Sequence, residues 1–314
     1  MEAEEKIPVI VIFAPTACGK TALAKEIFGK SSLFHFKGRG EVISADSQAV
    51  YKFLDIGTAK PTKEECEELP CHLVDEVLPD QQFGVGDFLS LADKLCREIY
   101  SRKKIPLVIG GTGFYIRSFL LGLPPTPVSN PEIREEIKSR LEKEGNGALY
   151  YELKKIDPVY AKKIDLHDGY RICRALEVYY ASGKNLSSYK MPSNLREQYD
   201  FCTIILTRDR HDLYNRIDNR VEKMFADGLV QEIEKLKSMG FTKDTPAMKA
   251  IGYSEFFKTE NQSLSLNDIK EQITFNTKRY AKKQYTFMRD IPGASEIHAD
   301  DKDAVVSCIK SFLK

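Results

Sequence analysis

Ile7-Pro-Val-Ile-Val-Ile-Phe-Ala-Pro-Thr-Ala-Cys-Gly-Lys-Thr21 is the stretch that decides the fold. Ile7 to Phe13 form a continuous β-rich apolar run, the pattern of a strand buried on both faces in a parallel sheet. Ala14, Pro15, Thr16, Ala17, Cys18, Gly19, Lys20 and Thr21 follow, and a helix is expected from Thr21. Such a loop between strand and helix turns backbone N–H groups and a helix N-terminus toward an anion. Lys20 is placed to neutralise a terminal phosphate, and the Thr21 hydroxyl to hold Mg2+. Ala14 stands where the phosphate-loop pattern has glycine, which requires that it keep a negative φ.

Working outward, Glu41-Val-Ile-Ser44 and Ile105-Pro-Leu-Val-Ile-Gly110 read as further short strands, and Phe88, Leu91, Ala92, Leu95 and Ile99 space a helix between them. Strands alternating with helices predict a doubly wound α/β sheet. Leu123-Pro-Pro-Thr-Pro-Val-Ser-Asn-Pro131 admits neither helix nor central strand and reads as a boundary. Beyond it, Ile133, Ile137 and Leu141, then Leu149 and Leu153, then Ile172, Leu176 and Tyr179 keep helical spacing to about residue 190. Phe201-Cys-Thr-Ile-Ile-Leu-Thr207 returns to the strand pattern, with long charged helices expected near 209–239 and 265–289. The expected organisation is a parallel-sheet core in two parts, 1–123 and 196–314, interrupted by an all-α insertion over 124–195.

The chain has 314 residues, with 47 Lys and Arg against 46 Asp and Glu. A net charge of +1 gives no global field for a polyanion, so nucleic-acid binding must come from a local patch. With 42% hydrophobic and 30% charged residues the composition is that of a globular protein, and the longest clean apolar run, Val9 to Ala14, is far short of the ~20 residues of a membrane span. The start Met-Glu-Ala-Glu-Glu-Lys has no secretory or transit character, so a cytoplasmic protein is expected. Cys18, Cys66, Cys71, Cys96, Cys173, Cys202 and Cys308 form no Cys-x-x-Cys pair; they predict no disulfide framework or zinc site, and most are expected to be buried thiols.

Asp46 lies just past the second strand, at the carboxyl edge where open α/β sheets bind ligands. It reads as a general base, a Mg2+ ligand, or an N-cap for a helix beginning near Ser47. Gly110-Gly-Thr-Gly-Phe-Tyr115 follows another strand at the same edge, so Thr112 either turns its hydroxyl into the cleft or caps a helix. Neither a dinucleotide signature nor the Asn-Lys-x-Asp of guanine-specific GTPases appears. Thr277-Lys-Arg-Tyr-Ala-Lys-Lys-Gln-Tyr-Thr-Phe-Met-Arg289 interleaves cations with aromatics, suited either to phosphates and stacked bases or to a solvated helix face. Arg171 and Arg174 share a helix face, for a phosphate or for a neighbouring carboxylate.

In order, these motifs resemble the tRNA dimethylallyltransferases, over about nine-tenths of the chain. The resemblance is carried by Ala14–Thr21; Ser44-Ala-Asp-Ser-Gln48 with Tyr51 and Asp55-Ile-Gly-Thr-Ala-Lys-Pro61; Gly110-Gly-Thr112; Asp157-Pro158; and Arg171-x-x-Arg-Ala-Leu-Glu-Val178. Gly228-Leu229 with Glu232, Ala250-Ile-Gly-Tyr253, and Lys283-Gln284 leading to Arg289 complete the set. Cys18, Cys71, Phe287 and Leu166-His-Asp-Gly169 depart from the family pattern, and the resemblance is to the bacterial type, so the zinc finger of eukaryotic relatives is not expected.

The resemblance implies a phosphate-loop NTPase-like fold and an alkyl transfer. The loop, Lys20, Thr21, Mg2+ and Arg216 or Arg220 would hold the diphosphate of dimethylallyl diphosphate as a leaving group. Asp46 would take a proton from N6 of adenosine 37 in the tRNA anticodon stem-loop, with Thr112 lining the channel and Asp46, Ser47, Gln48 and Ala49 meeting the flipped base. The remaining tRNA contacts implied are Arg134; Tyr170, Arg171, Ile172, Cys173 and Arg174; Met248, Lys249, Ala250, Ile251, Gly252 and Tyr253; and Lys282, Lys283, Gln284 and Arg289. A monomer is expected. The competing readings are an adenylate isopentenyltransferase acting on free AMP, ADP or ATP, a small-molecule kinase, and a non-catalytic RNA-binding protein.

Overall fold

The computed structural model describes residues 5–128, 130–258 and 264–314. Residues 1–4 of the acidic start, and Ser129 within the proline-rich tract, lie outside the described residues. The chain divides into two compact units, one of residues 1–120 with 195–314 and one of residues 121–194.

In the first unit the elements run β1 (Ile7–Phe13), α1 (Lys20–Phe28), β2 (Gly40–Ala45), α2 (Lys63–Glu68), β3 (Cys71–His72), α3 (Val85–Ser101), β4 (Ile105–Gly110) and α4 (Gly113–Leu121). The six described strands form one sheet, ordered β3-β2-β4-β1 and then two later strands, β5 (Tyr199–Thr207) and β6 (Ser295–His298), with every neighbour parallel. Central β1 is buried on both faces, as its unbroken apolar run requires. Ile10 and Ile12 pack in one cluster with Leu23, Ala24 and Ile27 of α1, while the opposite-facing Val9, Val11 and Phe13 are equally covered.

The second unit holds α5 (Pro131–Ile156), which is interrupted at Gly145, α6 (Pro158–Ala161) and α7 (Gly169–Ser182). Ile137, Leu149 and Leu153 of α5 bury themselves with Ile172, Ala175 and Leu176 of α7, giving the unit its own small core. The first unit resumes with β5, α8 (Arg210–Ala226), α9 (Leu229–Ser238), α10 (Ser254–Lys258), α11 (Leu266–Met288), β6 and α12 (Lys302–Phe312). The helix expected over 209–239 is therefore two, broken at Asp227-Gly228.

Two strands escaped the sequence reading. β3 has two residues, and β6 is a mostly exposed edge strand with a single apolar residue, so neither carries a hydrophobic period. The thiols are also less buried than expected, since only Cys18, Cys96 and Cys202 of the seven are fully buried and all seven are free. Among the described residues, no helix is long and apolar enough to cross a membrane.

Candidate active site

Because β4 lies between β2 and β1, the turns leaving these three strands come together at one sheet edge. The chain leaves β1 toward β2 on one side, and returns after β4 to β5 on the other. Open parallel sheets place ligands at such a switch point. Here it opens into a cavity of about 350 Å³ lined by Thr16, Lys20, Thr21, Asp46, Gly111 and Arg220, among others. Ala24, Val42, Ile109, Val221, Met224 and Ile273 give it an apolar wall.

The loop after β1 is held by Ala14 N–H, which donates to Gly110 O at 3.3 Å, and by Cys18 N–H, which donates to Pro15 O at 3.2 Å. Ala14 keeps a negative φ; the left-handed residues of the loop are Ala17 (φ 63°) and Gly19 (φ 100°). Gly19 precedes α1 and no side chain caps that helix, so its first N–H groups stay open to an anion.

Four basic side chains lie at or near the loop and are held differently. Burial pushes the Lys20 ammonium below an ordinary lysine, the Asp46 carboxylate opposes this and Arg220 adds to it. Arg220 is also lowered by burial, against the pull of Asp46, and donates to Thr58 O at 3.0 Å. Arg216 donates from Nε to Ala17 O at 2.9 Å and reaches over Gly19. Arg208, which the sequence reading passed over, donates to Cys18 O at 3.4 Å and is paired with Asp212 and Asp300 at 2.7 and 2.6 Å.

Asp46 follows β2. Its Oδ1 accepts from Gln48 N–H at 2.9 Å and Ala49 N–H at 3.4 Å, so it caps a tight turn; no helix begins at Ser47. Thr112 Oγ1 accepts from Ser47 N–H at 3.0 Å, tying the turn after β4 to the turn that carries Asp46. The Thr112 carbonyl accepts from Tyr115 and Ile116 N–H, so its backbone opens α4 while its hydroxyl holds the turn over Ser47.

Support comes from the loop over 54–60. The Glu232 carboxylate accepts from Asp55, Ile56 and Gly57 N–H at 3.0, 2.8 and 3.2 Å and from the Tyr253 hydroxyl at 2.6 Å. It fills a nest of backbone donors and fixes the loop whose Thr58 carbonyl holds Arg220.

Several residues expected at an RNA surface lie elsewhere. Ile172, Met248 and Tyr253 have 0%, 1% and 0% exposure and belong to the hydrophobic cores, because helical and turn geometry sends part of any contiguous segment inward. Ala49, Ala250 and Gly252 are buried as well, and Cys173 and Ile251 are half-buried. Gln284 is 3% exposed, with both ends of its amide bonded to backbone. Exposed are Arg134, Tyr170, Arg171, Lys249, Lys282, Lys283 and Arg289, while Arg174 is half-buried. Tyr280 and Thr277 line the cavity from α11 although neither was singled out as a site residue. Their signal was the spacing with Gln284, which puts residues 277, 280 and 284 on one helix face.

The IPP transferase family model matches residues 49–291. The chain belongs to the IPP transferase family. It is 44% identical over 292 residues to a tRNA dimethylallyltransferase of Sulfurihydrogenibium sp., covering 93% of this chain and 92% of that one. It is 41% identical to one of Acetivibrio thermocellus, covering 97% and 96%. A full-length tRNA isopentenylpyrophosphate transferase of Bacillus halodurans superposes with a TM-score of 0.67 at 33% identity, over 98% of this chain and 96% of that one. A eukaryotic dimethylallyltransferase acting on tRNA gives a TM-score of 0.76 at 29% identity, over 97% of this chain and 77% of that one. Membership makes the chain a prenyl-transferring enzyme with a phosphate-loop NTPase-like fold, and displaces the kinase and free-adenylate readings.

Proposed function

We propose that this enzyme transfers the dimethylallyl group of dimethylallyl diphosphate to N6 of adenosine 37 in the tRNA anticodon stem-loop, acting as a cytoplasmic monomer. The observation that carries the reading is one cavity lined by the phosphate loop, two half-buried cations, a carboxylate and an apolar wall. A diphosphate fits the cations, a five-carbon chain fits the wall, and an amine nucleophile needs the carboxylate.

In this mechanism the loop N–H groups, Lys20, Arg216 and Arg220 bind the diphosphate. They stabilise the charge that grows on its bridging oxygen as the allylic C–O bond breaks and the electron pair leaves with diphosphate. The N6 lone pair forms the new C–N bond, and Asp46 accepts the proton that nitrogen loses. The apolar wall excludes water from the allylic carbon.

The same reading includes Mg2+. Among the described residues no three carboxylate, histidine or cysteine side chains cluster as a ligand set, whereas the Thr21 hydroxyl lines the cavity beside Lys20. That donor set suits a hard cation carried mainly by diphosphate oxygens and water, and Thr21 would hold it. When bound, the ion offsets negative charge on the leaving diphosphate.

For tRNA, the exposed Arg134, Tyr170, Arg171, Lys249, Lys282, Lys283 and Arg289 supply cations and an aromatic for phosphates and unstacked bases, while the turn over 46–49 meets the extruded adenine.

The deciding experiment supplies Mg2+ and labelled dimethylallyl diphosphate with unmodified tRNA or with AMP. Label entering N6 of tRNA adenosine is the expected result; label entering AMP alone would refute the reading.

A further inference from the structure

The phosphate loop and Asp46 come from different strands, so their separation must be set by something that touches both. Gln284 of α11 reaches the first: its Oε1 accepts from Thr16 N–H at 3.0 Å, inside the loop. Its Nε2 donates to Gly111 O at 2.6 Å in the turn after β4. The approach is close enough that a Cβ on residue 111 would lie 2.4 Å from Gln284 Nε2 and would push the amide from its place. The next link is Thr112, whose hydroxyl holds Ser47 N–H beside Asp46.

One turn earlier on the same helix face, the Tyr280 hydroxyl donates to Gly111 O at 3.4 Å. Burial and the nearby Asp46 carboxylate push the Tyr280 phenol up to about 12, so it remains a donor through the neutral range. Gln284 is thus a buried amide with both ends engaged, in a helix otherwise rich in exposed charge.

We infer that Gln284 and Tyr280 are positioning residues that lock the phosphate loop, the Gly111-Thr112 turn and the Asp46 turn into one register, and so set the spacing between leaving diphosphate and proton acceptor. This rests on the alkyl-transfer reading above. It gives Gln284 a task other than the RNA contact the family resemblance implied. Transfer between two held groups is steeply sensitive to their placement, a displacement of about 1 Å costing on the order of 100-fold in rate.

The test compares full-length Gln284→Leu and Tyr280→Phe with wild type by three measurements. These are single-turnover transfer at saturating dimethylallyl diphosphate and tRNA, tRNA Kd, and the Kd of inorganic diphosphate with Mg2+. For Gln284→Leu, transfer should fall roughly 100-fold and diphosphate affinity about tenfold, with tRNA Kd within about twofold. Tyr280→Phe, which keeps the ring and loses one hydrogen bond, should slow transfer about 5- to 10-fold with the same unchanged tRNA Kd. Assays below both melting temperatures keep a simple loss of folding from imitating this split.

Weaker tRNA binding in proportion to the lost rate would make Gln284 an RNA contact and overturn the proposal, as would wild-type transfer in both variants. The diphosphate measurement needs no turnover. Unchanged diphosphate affinity in Gln284→Leu would therefore defeat the clamp even if the wild-type chain moved no dimethylallyl group, a result that would separately defeat the functional reading.

Discussion

The charged groups of the cavity and those of the helical unit are built on opposite plans. In the helical unit the arginines face carboxylates: Arg140 bonds Glu144 at 2.9 Å and also Glu152, Arg174 bonds Glu177 at 3.2 Å, and Arg171 and Arg134 lie 3.4 and 3.6 Å from Asp168 and Glu177. Among the described residues, Arg220 in the cavity and Arg216 beside the phosphate loop are held only by backbone carbonyls, and Asp46 only by backbone N–H groups. Lys20 has no ion pair among the described residues and feels Asp46 through space. A paired charge is already neutralised by the fold. Charges oriented by backbone dipoles keep their charge for a ligand, at the expense of a desolvation that lowers Lys20 and Arg220.

The contrast is broken most severely at Asp46. Asp46→Asn keeps the turn acceptor and removes the base, so kcat for tRNA alkylation should fall about 10²- to 10⁴-fold with tRNA Kd little changed. A near-wild-type kcat would return Asp46 to the role of a turn cap.

Arg220→Gln comes next, with inorganic diphosphate expected to bind roughly 10- to 100-fold more weakly by calorimetry. It also sharpens the electrostatic argument. Lys20 is lowered from 10.5, so in wild type diphosphate affinity should begin to fall, as pH rises, below the range of an ordinary lysine. Removing the like charge of Arg220 raises Lys20, and the fall should move to higher pH. A shift the other way would contradict the assigned coupling.

A smaller effect is expected on the exposed face of α11. Lys282→Ala with Lys283→Ala should weaken tRNA binding and reduce the slope of log K against log salt by about 0.7 to 0.9 for each phosphate that the protein no longer neutralises. An unchanged slope would remove both from the interface.

The smallest belongs to the paired plan. Arg140→Gln should lower stability by about 1 kcal/mol or less, read in urea denaturation, because the pair is partly exposed. Diphosphate affinity should stay at the wild-type value; a change there would show that the two plans are not separate.

Residues 7–21 were enough to place a phosphate loop between a buried strand and a helix, because a doubly covered strand must be apolar throughout and the loop chemistry is contiguous in the chain. The ordered motifs gave the family in the same way. What Arg171 and Arg174 face stayed open, since i and i+3 spacing fits a phosphate or a carboxylate equally, and the fold supplied Asp168 and Glu177. Which segment residues face inward was decided by packing, as Ile172, Met248 and Tyr253 show.

Sequence alone determined the strand–loop–helix at the centre, the family, and Asp46 as a candidate base, since each is written in neighbouring residues. Only tertiary structure decided that Glu232 from α9 fills the nest over 55–57, and that Gln284 joins Thr16 to Gly111 across 268 and 173 positions of chain. A hydrogen bond between distant segments has no period and no spacing; it exists only once sheet order has brought the strand ends together.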